Sequence, residues 1–293
     1  MNKFTVTVAK TFILATAIMI SAMVIGCKST TEPASSQAYD SEAAADLTAT
    51  SLGTESGGAG VSFSDAMGLA QTGSVPTEAV DPKSGIPMSR DSAYDPVTKQ
   101  HILTITRSGS TGKFSFNAVI IYKYTFKDAA GNSMQYFAKG TTNEVDISVS
   151  KQKSKDYGDR LDVDDTANGS WTITNIISGL PILTGSFTRN GTDIFHTVAN
   201  GDRTFTHTMT INFNADTLVQ TTDLGKKYTH LKGPATAHFD GVTAKGYKIT
   251  RDVVVTFNGD GTATLQVTRT SGDGTVDTFT IDVRIGIFKR WGK

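Results

Sequence analysis

The feature that most constrains the fold is a strict alternation of apolar and polar residues within residues 88–293. Residues 203–213 show it best, with Phe205, His207, Met209, Ile211 and Phe213 on one parity and Thr204, Thr206, Thr208, Thr210 and Asn212 on the other. A period of two residues is that of a β-strand with one buried and one solvated face. The same alternation in residues 114–126 and 278–287 predicts antiparallel sheet across the segment.

The composition of this segment also favours strands over helices. Of its 206 residues 33 are threonine, and glutamate occurs once, at Glu144. Threonine is branched at Cβ and fits the pleated surface of a sheet, whereas glutamate is a good helix former. We therefore expect an all-β domain over residues 88–293.

Frequent turn signals divide this domain into short strands. Asn-Gly pairs begin at residues 168, 190, 200 and 258, and Asp-Gly pairs begin at residues 240, 260 and 273. Both pairs tolerate the positive φ angles of tight hairpins, and Asp95-Pro96 adds a further turn signal. The spacing predicts a meander of about twelve to fourteen strands, arranged as a two-layer sandwich or as one large curved sheet, a half-barrel.

The N-terminal 26 residues have the pattern of an export signal. Lys3 and Lys10 form a short basic start, and an apolar run from Phe12 to Ile25 follows them. The segment contains no acidic residue. The run ends in Val24-Ile25-Gly26-Cys27, which resembles the lipobox of bacterial lipoproteins. The resemblance implies cleavage before Cys27, lipidation of Cys27 and attachment to the lipid bilayer. Lys28 in the next position favours the outer membrane as the destination. The sequence is compatible with either the periplasmic or the cell-surface face of that membrane.

Residues 27–87 are predicted to be a disordered tether between the lipid and the β domain. They carry 2 basic and 8 acidic side chains and only two aromatic residues, Tyr39 and Phe63. Such a segment has too little apolar surface to offset the entropy lost on ordering. Residues 62–70 are the exception: they have the composition of a short helix capped by Ser62 or Ser64, which would form transiently or dock on the β domain or a partner.

Composition and motifs exclude several classes of function. The 28 basic and 28 acidic residues balance, so there is no basic footprint for nucleic acid. Cys27 is the only cysteine, which excludes an intramolecular disulfide. There is no Gly-x-Ser-x-Gly or His-Glu-x-x-His motif. Residues 88–293 contain a single glutamate, so a pair of catalytic carboxylates there would have to come mainly from aspartates. We expect a protein that is not an enzyme and has no cofactor.

Two groups of residues are weak candidates for a metal site. Asp162, Asp164 and Asp165 offer oxygen ligands of the kind that calcium prefers, although a solvated connection before a strand at Trp171 explains them better. If Asn200-Gly201 forms a two-residue turn, then His196 and His207 share one face, with Ile194 opposite His207. Two partly buried rings are the favoured interpretation of these histidines.

Three functions are compatible with these features. The first is a membrane-anchored, non-enzymatic lipoprotein whose β domain is a binding or structural module of the cell envelope, with an envelope protein, a glycan or an apolar ligand as partner. The second is a carrier of a lipid or other apolar ligand, with Phe114, Phe116, Tyr122, Tyr124 and Phe126 lining a cavity. The third is a metal-dependent hydrolase that uses His196 and His207.

Overall fold

The structure is a computed structural model. It describes residues 44–45, 47–49, 51–52, 59–74, 88–111, 114–156, 161–195, 203–223, 226–243, 246–269 and 276–282. The lipobox and Cys27 lie outside these residues. Of the helices in the described part of the chain, none has the length and apolar character that a bilayer crossing requires.

One helix and twelve strands make up most of the described chain. The helix α1 spans Ala59–Thr72, and residues 44–45, 47–49 and 51–52, which we call the 44–52 segment, are also helical. The strands are β1 (Met88–Asp95), β2 (Gln100–Thr111), β3 (Phe114–Asp128), β4 (Ser133–Met134), β5 (Thr142–Asp156), β6 (Leu161–Thr174), β7 (Ile182–Phe195), β8 (Arg203–Asp223), β9 (Lys226–Thr243), β10 (Lys248–Asn258), β11 (Thr262–Arg269) and β12 (Val276–Asp282).

All twelve strands belong to one antiparallel sheet. Its order is β1-β2-β3-β5-β6-β7-β8-β9-β10-β11-β12, with the short β4 paired to the end of β3. Strands adjacent in sequence are therefore adjacent in space, and the predicted all-β meander is confirmed. Short connections explain this topology, since two antiparallel strands can be joined by a tight turn. A single hydrogen-bonded sheet corresponds to the curved-sheet arrangement.

One face of the sheet is buried and the other faces solvent. In β8 the apolar parity, including His207, is buried, while Thr206, Thr208 and Asn212 are exposed. The burial of β10 alternates in the same way along its whole length. Ile120, Tyr122 and Phe126 of β3 are buried and Tyr124 is half-buried, as the pattern predicted, whereas the side chains of Phe114 and Phe116 are outside the described set. The alternation thus predicts the burial of the sheet correctly.

The buried face is concave and encloses the N-terminal helices. Twelve strands about 4.8 Å apart would form a flat sheet about 50 Å wide, and twisted sheets of this size usually curl. Buried residues from β2 to β11 form one apolar cluster with α1 and the 44–52 segment. Because the few helical turns are too narrow to cover a flat sheet of that width, the sheet must curve around them. We call this buried surface the concave face.

Helix α1 covers residues 62–70, the part of the predicted tether for which the sequence allowed a short helix, and it is packed on the sheet rather than transient. Met67 and Leu69 are 2% and 0% exposed, and they pack in the same cluster as the sheet. The segment is ordered because the concave face supplies the apolar contacts that its own composition lacks. Ser62 lies inside the helix and is not its N-cap. The helix ends at Gly73, whose φ of 71° suits a glycine and whose amide donates to the carbonyl of Leu69.

Three of the predicted turns are wrong, because their Asn-Gly or Asp-Gly pairs lie within strands. These pairs are Asn168-Gly169 in β6, Asn190-Gly191 in β7 and Asp240-Gly241 in β9. Gly169 is needed for a close approach, since a Cβ there would lie 2.0 Å from the ring of Trp171. The turns at Asn258–Gly261 and after Asp95 are confirmed, and the pairs at 200 and 273 lie outside the described residues.

Candidate functional site

The concave face is divided along the strand direction into a charged part and an apolar part. Strand pairing aligns inward-facing residues into rows that run across the sheet. Two adjacent rows, the charged rows, contain Arg107, Lys153, Asp165 and His207 in one and Lys151, Arg189 and Arg251 in the other. The next two rows are the apolar rows. The first includes Leu103, Tyr122, Val149, Phe187, Ile211 and Val253, and the second includes Ile147, Trp171, Phe213, Val255 and Leu265.

A buried ionic network links three strands in the charged rows. Arg189 of β7 donates through Nε to Asp165 of β6 and through Nη2 to Asp193 Oδ1, the latter at 2.6 Å. Nζ of Lys153 in β5 lies 3.3 Å from Asp165 Oδ2, the oxygen that also accepts from Arg189 Nε. Arg189 Nη1 also lies 3.3 Å from Ser51 Oγ, which ties the 44–52 segment to the network. The network therefore holds sheet and helical segment together.

The charges in this network shift the pKa values of both carboxyls. Burial raises the pKa of Asp165, but the positive charges of Arg189 and Lys153 outweigh it and bring that pKa below its usual range. Burial raises the pKa of Asp193 to about 6, and the attraction of Arg189 only partly opposes this. Asp165 is therefore the firmly ionised member of the pair, and Asp193 is the one that can bind a proton near neutrality.

His207 lies beside this network and is buried. Burial lowers the pKa of its imidazole to about 3, so the ring is neutral at pH 7. Its Nε2 is 3.7 Å from Asp193 Oδ2, and neither ring nitrogen has a hydrogen-bond partner within the described chain. Glycines on both neighbouring strands, Gly191 and Gly241, are paired with His207 and leave room for the ring.

A second polar contact connects α1 to β3. The hydroxyl of Tyr122 donates to Asp65 Oδ2 at 2.5 Å and lies 3.4 Å from Ser62 Oγ. Burial raises the pKa of Asp65, although the Tyr122 hydrogen bond and the charges of Lys151 and Arg107 act in the opposite direction. Burial and the charge of Asp65 together raise the pKa of Tyr122 well above its usual range. The acidic side chain of the helix thus faces the basic part of the concave face.

Lys151 is the basic side chain whose proton binding is most affected. It is buried in β5, and its ammonium lies 5.8 Å from the centre of the Phe187 ring. Burial and the neighbouring charge of Lys153 lower the pKa of Lys151 to about 7, and the attraction of Asp65 does not restore it. Lys151 is therefore only partly protonated at neutral pH in the folded protein.

This lowered pKa predicts that the protein becomes more stable between pH 7 and pH 9. In that range the unfolded chain still holds a proton on Lys151 while the folded chain releases it, so the unfolded state binds more protons. We expect the free energy of unfolding in urea to rise by about 2–3 kcal/mol over these two pH units. In Lys151→Met most of the rise should disappear, and an unchanged rise in that variant would contradict the assignment.

The solvent-facing side of β6–β10 carries a separate depression of about 800 Å³. Its walls are mostly exposed polar side chains, among them Asp164, Asn190, Thr206, Thr208, Asp240 and Lys248. The depression is wide open, and hydroxyl groups of this kind are hydrogen-bonded equally well by water. It therefore offers no enclosed environment and no cluster of charge of the kind found on the concave face.

The structure does not bring the predicted metal ligands together. Asp162, Asp164 and Asp165 lie within strand β6, so the predicted solvated connection is wrong, and alternation puts Asp164 outside and Asp165 inside. Strand pairing places Gly191, not Ile194, opposite His207. His196 and the Asn200-Gly201 pair lie outside the described residues, so only the register of β7 and β8 bears on this prediction. Within the described chain, no three His, Cys, Asp or Glu side chains are placed to hold a metal ion.

The sequence interpretation missed most of the buried charges, although a signal for them exists. Lys151 and Lys153 continue the inward parity of Val145, Ile147 and Val149 in β5. Arg189 and Asp193 share the parity of Phe187, and Arg251 shares that of Val253. A charge at an apolar position of an alternating strand indicates a buried ion pair or a ligand site, because an isolated buried charge is costly.

Comparisons with known proteins give no relative for this chain. No protein-family model matches it, and neither a curated protein nor a solved structure is significantly similar. The arrangement of residues on the concave face is therefore the basis for the function.

Proposed function

We propose that this chain is a lipid-anchored, non-enzymatic binding protein of the bacterial cell envelope, and that the concave face is its binding element. The observation that carries the proposal is the arrangement of the concave face, where the charged rows adjoin apolar rows under a helix of the same chain. Enclosed apolar surface with a few convergent polar groups is typical of binding sites for small molecules.

The attachment rests on the N-terminal sequence. Val24-Ile25-Gly26-Cys27 resembles a lipobox, and several acyl chains on one terminus would give effectively permanent membrane binding. Lys28 favours the outer membrane as the destination. The linker from Cys27 then ends before the 44–52 segment, since that segment and α1 are both packed on the sheet.

Two features favour a binding role over hydrolysis at the same place. His207 is neutral at pH 7, and a pKa of about 3 makes it a weak base. Oδ2 of Asp165 is engaged by Arg189 and Lys153, whose positive charges compete with a metal ion for this oxygen. A carrier of an apolar ligand is the more specific form of this proposal, because the apolar rows provide the aromatic and aliphatic surface that it needs.

Metabolic labelling tests the attachment directly. Cells that express the full chain are grown with an alkyne-tagged fatty acid, and the protein is expected to carry the label and to sediment with membranes. The Cys27→Ala variant should lose the label, and Ser29→Ala serves as the matched control that keeps it. An unlabelled wild type, or label that persists in Cys27→Ala, would contradict lipidation of Cys27.

A further inference from the structure

We propose that the concave face binds an acidic amphiphile, a molecule with an anionic head group and an aliphatic tail, and that helix α1 occupies this site when no ligand is bound. The inference rests on the proposed function, since it names the ligand class of the same site. Its basis is the position of the Asp65 carboxylate between the charged rows and the apolar rows.

The polarity of the concave face matches that of such a ligand. Basic groups are gathered at one end. Beyond the two apolar rows, a further row contains Phe126, Val145, Ile173 and Leu183, with the buried Asp216 paired to Leu183. Successive rows lie about 7 Å apart, so these three rows together extend about 14 Å along the strands. This length suits an aliphatic tail whose head group remains at the charged end.

The charged rows of the sheet have more basic than acidic groups. Arg107, Lys151, Lys153, Arg189 and Arg251 lie in the two rows, and the described sheet residues facing them supply the carboxylates of Asp165 and Asp193. Asp65 of α1 adds a third carboxylate, placed where Lys151 and Arg107 attract it. Nε and Nη2 of Arg107 are buried and make no hydrogen bond within the described chain. An anionic head group would provide acceptors for these two Arg107 atoms.

Helix α1 has the same order of polarity as the proposed ligand. Ser62 and Asp65 contact Tyr122, and the following buried residues Met67 and Leu69 pack in the apolar cluster. At the C-terminal end Gly73 approaches the side chain of Phe137, which packs against Phe126 in the apolar region. The helix therefore places a carboxylate at the basic groups and apolar side chains beyond it.

Small side chains make α1 a displaceable occupant. Apart from Met67 and Leu69, much of its buried surface comes from Ala59, Ala66, Gly68 and Ala70. Stabilisation by burial is proportional to the apolar area removed from water, so a helix of small residues is held less tightly than one with large residues. A long aliphatic chain buries more apolar surface in the same space, which allows it to replace the helix.

Calorimetric titration of three probes tests the ligand class. The full chain carrying Cys27→Ser, which removes the acylated thiol, is titrated with oleate, with oleyl alcohol and with lysophosphatidylglycerol. We expect oleate, lysophosphatidylglycerol or both to bind at least tenfold more tightly than oleyl alcohol; whichever acid binds more tightly identifies a fatty acid or a phospholipid as the source. Amide exchange of residues 59–72 should become faster at saturation, because the helix leaves the sheet.

Two substitutions separate the head-group contact from general stability. Asp65→Asn removes the competing charge and is expected to raise the affinity for the acidic probe by about tenfold. Asp164→Asn, on the solvent-facing side of β6, is the matched control and should leave that affinity unchanged. Lys151→Met should weaken binding of the acidic probe while leaving that of oleyl alcohol unchanged, which a general loss of folding would not do.

The outcomes distinguish this inference from the proposed function. Equal affinities for oleyl alcohol and both acids, or equal acid affinities in the wild type and Asp65→Asn, would overturn the acidic head group and leave apolar binding in place. Failure of all three probes to bind, with residues 59–72 still protected, would overturn both the inference and the concave face as a binding element. The labelling of Cys27 is independent of either result.

Discussion

Replacing Arg189 with methionine is expected to lower the free energy of unfolding by about 3–5 kcal/mol. The guanidinium is 1% exposed and neutralises two carboxylates, Asp165 and Asp193, both of which are fully buried. Without it these charges remain in a medium of low polarity, and the connection to Ser51 is also lost. Urea denaturation followed by circular dichroism at pH 7.5 measures the effect.

A matched substitution at the surface shows whether burial is the cause. Lys127 pairs with Glu144 at 2.7 Å, but all three of Lys127, Glu144 and Asp146 retain contact with water. Lys127→Met should cost less than about 1 kcal/mol, as is usual for exposed ion pairs. Equal losses in the two variants would contradict a buried network. The loss in Arg189→Met should also become smaller at pH 5, where Asp193 can bind a proton.

Replacing Leu69 with alanine is expected to lower the free energy of unfolding by about 2–5 kcal/mol. This side chain is 0% exposed and packs in the cluster that α1 shares with the sheet. Its removal leaves a cavity that the rigid surroundings of a curved sheet cannot fill completely. If residues 59–72 belonged to a disordered tether, the same substitution would have almost no effect on stability.

The exposed face of the same helix provides the control. Gln71 is exposed, and Gln71→Ala should change the free energy of unfolding by no more than about 0.5 kcal/mol. Alanine is the best helix former, so the substitution does not weaken the helix itself. A large loss of unfolding free energy in Gln71→Ala, or no loss in Leu69→Ala, would mean that α1 does not pack on the sheet through the face that carries Leu69.

The sheet could be predicted from sequence because its pattern is local. Alternation identified the buried parity of β8 and of much of β3, since a strand on a one-sided sheet needs only a period of two. The strand boundaries were harder to predict. Asn168-Gly169 and Asp240-Gly241 are typical turn pairs, but here they lie within strands, and their glycines are inward positions beside Trp171 and Phe239. Composition cannot distinguish a glycine that turns the chain from one that makes room for an aromatic ring.

The candidate site could not be predicted, for reasons of register and of context. Pairing Asn200-Gly201 as a two-residue turn shifted β7 against β8 by three residues, and an odd shift places the opposite face of a strand beside its neighbour. Residues 62–70 were predicted as a helix that forms transiently or docks, and the sequence could not decide between the two because the stability of α1 depends on the concave face rather than on its own sequence. Lys151 and Arg189, by contrast, carried a readable signal in their parity.

The central claim is that the concave face is filled by α1, and hydrogen exchange measures this most directly. In the full chain without added lipid, backbone amides of residues 63–72 should exchange at rates comparable to those of the neighbouring strand β5. Such rates correspond to opening reactions with a free energy of several kcal/mol. Amides at the first turn of the helix are excluded because they have no intrahelical partner. Exchange of residues 63–72 at the rates of an unfolded peptide, with β5 protected, would contradict the claim.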